Sequence, residues 1–158
     1  MNSNNNIYNQ IIQFLQTIGI EVKEIELPEE TFLPGLSIKA NCILLDPLKL
    51  KYPGDILHEA GHIATTPAAK RKWIGHSQMD SNWPTPGDEI ATIVWSYAAA
   101  ISIGVCPKEI FHPNGYKEDS EWLLQQFEEG NYIGLPLLVW MGFCSSSSFP
   151  KMNRWLRD

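Results

Sequence analysis

The segment His58-Glu59-Ala60-Gly61-His62 holds the residues with the clearest chemical potential in this chain. Histidines four apart face the same side of a helix, so two imidazoles placed this way can converge on one ion. Neutral imidazole suits zinc, with bonds near ~2.1 Å. Glu59 lies beside His58 and can flank such an ion without binding it, where a carboxylate can take a proton from metal-activated water. Zinc lowers the pKa of its bound water toward ~7, which makes hydroxide available at neutral pH. With 4 His in 158 residues, chance produces such a pattern on the order of once in two hundred sequences of this composition. That frequency favours the metal reading over two unrelated helical histidines.

A catalytic zinc site needs a third protein ligand and keeps one position open. Four candidates follow the motif: His76, Asp80, Asp88 and Glu89. Glu89 is preferred, because it begins a helix on which Thr92, Ile93 and Ser96 share its face and can turn the carboxylate inward. The helix dipole by itself also accounts for acidic residues at this N-terminus. Hydrolysis of a carbonyl further calls for a donor to the developing oxyanion. His76, in a loop, and Tyr97, two helical turns past Glu89, are the candidate transition-state or substrate contacts, with His112 and Tyr116 as further donors. Tyr97 has core packing as its alternative, and His76 ordinary loop exposure. Asp55 can orient a ligand histidine or serve the helix N-terminus. Gly61 costs about 1 kcal/mol relative to alanine in mid-helix, so a close approach at that point is expected.

The elements that must position these groups are readable from periodicity and breakers. Ile7, Ile11, Ile12, Phe14, Leu15 and Ile18 recur at helical spacing before Gly19. Val22, Ile25 and Leu27 suggest a strand. Leu36 to Lys39 and Cys42 to Leu45 form a hairpin or one bent strand. The motif helix runs from Pro53 to Thr65. An irregular stretch from Thr66 to Gly87, the kind of long loop that often serves function, carries Trp73 and Trp83 as candidate groove-lining residues. Asp88 caps a third helix, Glu89 to Ile103, closed by Gly104. A further helix spans Glu121 to Glu128, a helical segment with Pro136 spans Tyr132 to Phe143, and Ser145 to Ser148 form a linker. A short terminal helix covers Pro150 to Arg157, and the tail from Trp140 to Trp155 is expected to pack over the core. The expected class is α+β: a small mixed or antiparallel sheet on an active-site helix, with additional C-terminal helices.

Composition narrows the classes of function. A chain of 158 residues that is 44% hydrophobic is long enough and apolar enough for one domain, read here as 1–158, with the polar run 1–6 expected to be disordered. The net charge of -6 and the lack of a basic stripe argue against nucleic acid as a partner. The stretch Ile90 to Val105 is short for a membrane span and is interrupted by Thr92, Ser96 and Ser102, so no membrane role is expected. Three scattered cysteines and no secretory signal point to a reducing, cytoplasmic setting.

The motif His58-Glu59-x-x-His62 followed by a helical Glu89 resembles the gluzincin branch of zincin metallopeptidases. The small size and cytoplasmic character look most like the ImmA/IrrE-type group. The resemblance covers roughly residues 36–107. It implies a zincin-like fold, Zn2+ held by His58, His62 and Glu89, Glu59 as general base, and a peptide or protein substrate. The run Ile90 to Ala99 departs from that group's pattern and no helix-turn-helix segment is apparent, so the metal site carries over and repressor cleavage does not. The competing expectation is a catalytically inactive zincin-like binding or regulatory module. A third is a zinc hydrolase of non-peptide substrates.

Overall fold

In the computed structural model, which describes residues 3–158, the first helix α1 spans Ser3–Ile18. Its apolar stripe buries Ile11 and Leu15 completely, and Gly19 ends it with φ +92°. Of the polar run 1–6, expected to be disordered, residues 3–6 belong to this helix, because extending a formed helix adds one hydrogen bond per residue fixed; residues 1–2 lie outside the described residues.

Three short strands follow: β1 (Glu21–Glu24), β2 (Leu36–Lys39) and β3 (Cys42–Leu45). The segments 36–39 and 42–45 form a hairpin rather than one bent strand. They pair antiparallel with Ile38 opposite Ile43, and Ala40 in the turn has φ +52°. β1 lies on the other side of β3 and runs parallel to it, Val22 opposite Ile43. The order is therefore β1-β3-β2 and the sheet is mixed. β1 is shorter than the apolar pattern suggested. Ile25 still bonds to the Leu45 carbonyl, but the Leu27 amide leaves the ladder and donates to the Asp46 carboxylate at 3.0 Å.

Helix α2 (Asp55–Thr65) is buried along its whole length, packed between the sheet, α1 and the long helix α4 (Pro86–Ile103). A short helix α3 (Ala68–Arg71) and a series of turns occupy the stretch expected to be irregular. α4 begins one turn before its expected start. Pro86 takes a first-turn position, where its missing N–H costs nothing. Thr85 is the cap, bonded to the Asp88 amide, and the Asp88 carboxylate bonds back to the Thr85 amide. Asp88 is thus the reciprocal member of a capping box and not the cap itself. Gly104, in the left-handed region, closes α4 as expected.

Helices α5 (Ser120–Glu128) and α6 (Leu135–Trp140) complete the α+β architecture. Pro136 lies in the first turn of α6, so the segment Tyr132 to Phe143 is helical only where proline permits it. The end of the chain is not helical. Residues 150–158 are held instead by long-range contacts. Trp155 packs edge-on against Phe14 and Trp95, at 5.0 and 5.7 Å between centroids, and the Arg157 amide donates to the Ala64 carbonyl. The tail does cover the core through Trp155, whereas Trp140 is 73% exposed. No helix of the described residues is long and apolar enough to cross a membrane.

Candidate metal centre

A helix buried on every side must find partners for each of its polar side chains, because unpaired polar groups are costly to desolvate. On α2, Asp55 bonds to His112, with Oδ1 to Nε2 at 2.7 Å. Thr65 donates to the Gly61 carbonyl. His58 and His62 face one side, their ring centroids 4.9 Å apart. Both meet a single carboxylate from α4: His58 Nε2 lies 3.3 Å from Glu89 Oε2, and His62 Nε2 lies 3.1 Å from Glu89 Oε1. One ligand atom from each of these three residues lies within 4.8 Å of the others. Donor atoms about 2.1 Å from a tetrahedral ion are spaced by roughly 3.4 Å. Two imidazole nitrogens and one carboxylate this close together could hold a metal ion.

The centre is enclosed on its histidine side and open on its carboxylate side, since the side chains of His58, His62 and Glu89 are 9%, 5% and 39% exposed. Burial alone would raise the Glu89 carboxyl, but hydrogen bonds from His58 and His62 outweigh it and hold the group well below the usual carboxylate range. Each imidazole also has a hydroxyl on its other nitrogen. His58 Nδ1 lies 3.0 Å from the Tyr116 hydroxyl, and His62 Nδ1 lies 3.2 Å from Thr92 Oγ1. Such partners fix which ring nitrogen is free to bind an ion.

The spacing of α4 explains how one helix supplies several of these groups. Glu89, Thr92 and Ser96 share one face of it. Glu89 meets both histidines, Thr92 meets His62, and the Ser96 hydroxyl is a polar neighbour of Tyr116. Gly61 lets α4 come this close: a Cβ there would lie 2.8 Å from Thr92 Cγ2 and 3.2 Å from the Thr92 carbonyl oxygen. The close approach expected at Gly61 is therefore the approach of α4 to the motif.

Glu59 is the exception on α2. It is buried, yet among the described residues it has neither an ion-pair nor a hydrogen-bond partner, and neither of its oxygens is a fully enclosed unpaired atom. Its oxygens thus keep a trace of solvent contact. Burial pushes its pKa up to about 7; nearby His58 opposes this, while Glu89 and Asp55 add to it.

The other expected residues are distributed differently. Tyr97 does not face the cluster. It stacks on Phe127 at 4.5 Å and packs near Tyr132 and Phe149, where aromatic neighbours bury its ring. His76 is exposed in a turn and stands apart from the cluster. Asp80 pairs with Lys70 at 2.6 Å, and Asp88 is occupied by capping. Asp55 bonds to His112 and to neither His58 nor His62. Trp83 packs edge-on over His62 at 5.7 Å, whereas Trp73 lies under Lys72.

The role of Tyr116 beside His58 is the feature the sequence did not disclose. The sequence offered Tyr116 only as a further candidate donor to an oxyanion, not as a partner of His58 Nδ1. Two surface hollows, of about 450 and 420 Å3, lie away from the cluster, against α6 and α5 respectively. Compared with known proteins, the chain matches no family model, no curated protein and no solved structure.

Proposed function

We propose that the chain is a zinc-dependent hydrolase, a cytoplasmic metallopeptidase with a zincin-like arrangement, in which His58, His62 and Glu89 hold Zn2+ and Glu59 is the general base. One observation carries this reading. The two imidazoles and the Glu89 carboxylate converge from two buried helices, beside a Glu59 that is buried but has no hydrogen-bond partner among the described residues. A purely structural cluster has no need for that second, unpaired carboxylate, which costs stability to bury.

Zinc bound there supplies Lewis acidity and brings the pKa of water toward ~7. Glu59 receives the proton of the attacking water on a carboxylate oxygen. It then passes that proton to the leaving amine. Glu59 must be ionised to accept that proton, and the charge of a bound cation would favour the carboxylate by lowering the raised pKa. Glu89, at the exposed side, leaves room for a carbonyl substrate, and Trp83 limits access over His62. A peptide is the preferred substrate class because the motif with its downstream glutamate resembles those of metallopeptidases.

The test is elemental analysis of the purified protein, followed by assay of zinc-loaded wild type and Glu59→Gln on a broad peptide panel. Stoichiometric zinc with cleavage that falls by about 10²–10⁴-fold in Glu59→Gln is expected. Zinc-loaded wild type as inert as the variant would reduce the chain to a metal-binding module. Hydrolysis of small esters or amides without peptides would change the substrate class but keep the machinery.

A further inference from the structure

Tyr116 comes to the centre from far along the chain, 58 residues beyond His58. Its ring packs edge-on against both His58, at 5.4 Å, and Phe111, at 5.3 Å. The backbone that presents it is unusual: Tyr116, Lys117 and Glu118 all have positive φ, at 52°, 52° and 72°. L-residues avoid this region unless surrounding contacts require it. Those contacts are present. Ser120 Oγ donates to the His112 carbonyl at 2.6 Å and lies 3.2 Å from the Gly115 carbonyl. Asn114 Nδ2 donates to the Tyr52 hydroxyl at 2.7 Å. His112 is bound to Asp55, one turn before His58 on the same helix, and its ring stacks on Tyr52 at 3.9 Å. A side chain at Gly115 would press on the His112 ring, at 3.2 Å from Cε1. The segment that carries Tyr116 is therefore fastened to the helix that carries His58.

We infer that Tyr116 is a positioning residue of the metal centre: its hydroxyl accepts the Nδ1 proton of His58 and so aims the unprotonated Nε2 at the ion. This rests on the zinc site proposed above and assigns Tyr116 a different role from an oxyanion donor. The hydroxyl meets the ring at Nδ1, whereas Nε2 faces Glu89, so the phenol lies behind the ligand and away from substrate. Thr92 does the same for His62 from α4. Among the described residues, neither imidazole has a carboxylate on its Nδ1. Both are held by hydroxyls, which orient a ring without adding negative charge to the centre. Supporting hydrogen bonds of this kind contribute about 10–100-fold to metal affinity.

The experiment uses zinc alone, titrated in competition with a chromophoric chelator into wild type, Tyr116→Phe and Thr92→Val. Histidine ring nitrogens are followed by 15N NMR in the zinc-loaded wild type. Tyr116→Phe is expected to weaken zinc binding by about 10–100-fold. Loaded wild type is expected to show His58 protonated at Nδ1, with a slowly exchanging ring proton. Thr92→Val should weaken binding in the same way through His62. Equal zinc affinity of Tyr116→Phe and wild type would overturn the inference while leaving the metal site standing. So would a loaded wild type with His58 protonated at Nε2 and bare at Nδ1, a measurement that stands even if the variant does not fold. A wild type that binds no zinc would overturn the metal site itself.

Discussion

Glu59 stores the largest electrostatic cost at the site, and that cost has a measurable signature in the metal-free protein. Its folded pKa, about 7, lies above the ordinary value of 4.5. The folded state therefore binds a proton more tightly than the unfolded chain, and stability must fall as pH rises from about 4.5 to about 7, then level off. Glu59→Gln removes this titration. The stability difference between variant and wild type, measured by denaturant unfolding across that range, should grow with pH and favour the variant at pH 8 by a few kcal/mol. A flat difference would mean that the carboxylate is not desolvated. The proposed zinc site predicts a second dependence, on metal. Zinc should raise the melting temperature of wild type, since binding to the folded state alone stabilises it. A chelator should reverse the shift, and His62→Ala should abolish it.

At the scale of elements, the site is the crossing of α2 and α4, and Gly61 sets how close that crossing is. Alanine at this position would gain about 1 kcal/mol in helix propensity. Its Cβ, however, would meet the Thr92 methyl at 2.8 Å and the Thr92 carbonyl at 3.2 Å. Overpacking of this kind costs about 1–3 kcal/mol, so Gly61→Ala should be destabilising on balance and should weaken zinc binding by moving Glu89 away. Thr92→Ser removes the methyl and keeps the hydroxyl that faces His62. Combined with Gly61→Ala, it should recover part of the lost stability. Denaturant midpoints of the two singles and the double decide this: additive losses would show that the two sites do not press on each other.

Over the whole molecule, the centre draws together residues 55–62, 89–96 and 112–120, and the Asp55–His112 pair is the tie between the first and last of these. Both side chains are buried, and the largest influence on Asp55 is desolvation, which raises its pKa against the pull of His112. His112→Ala would leave that carboxylate without its partner, at a cost of about 3–5 kcal/mol, and should also loosen the segment bearing Tyr116. A loss under 1 kcal/mol in chemical denaturation would show that the pair is not a tie. What the sequence alone determined is what local physics controls: the helical spacing of His58 and His62, the stop at Gly19, and the demand for close approach at Gly61. Each depends on residues within a few positions of one another. Glu89 was legible as the preferred one of four candidates, through the helical face it shares with Thr92, Ile93 and Ser96, but nothing local says which side chain a second helix will finally turn inward. Only the tertiary structure decided that Tyr97 stacks on Phe127, that β1 runs parallel to β3, that the tail reaches Phe14 and Trp95 without a helix, and that Tyr116 stands behind His58. Those outcomes depend on which distant surfaces offer the most burial and the best hydrogen bonds, and such competition is settled only when the chain has closed on itself.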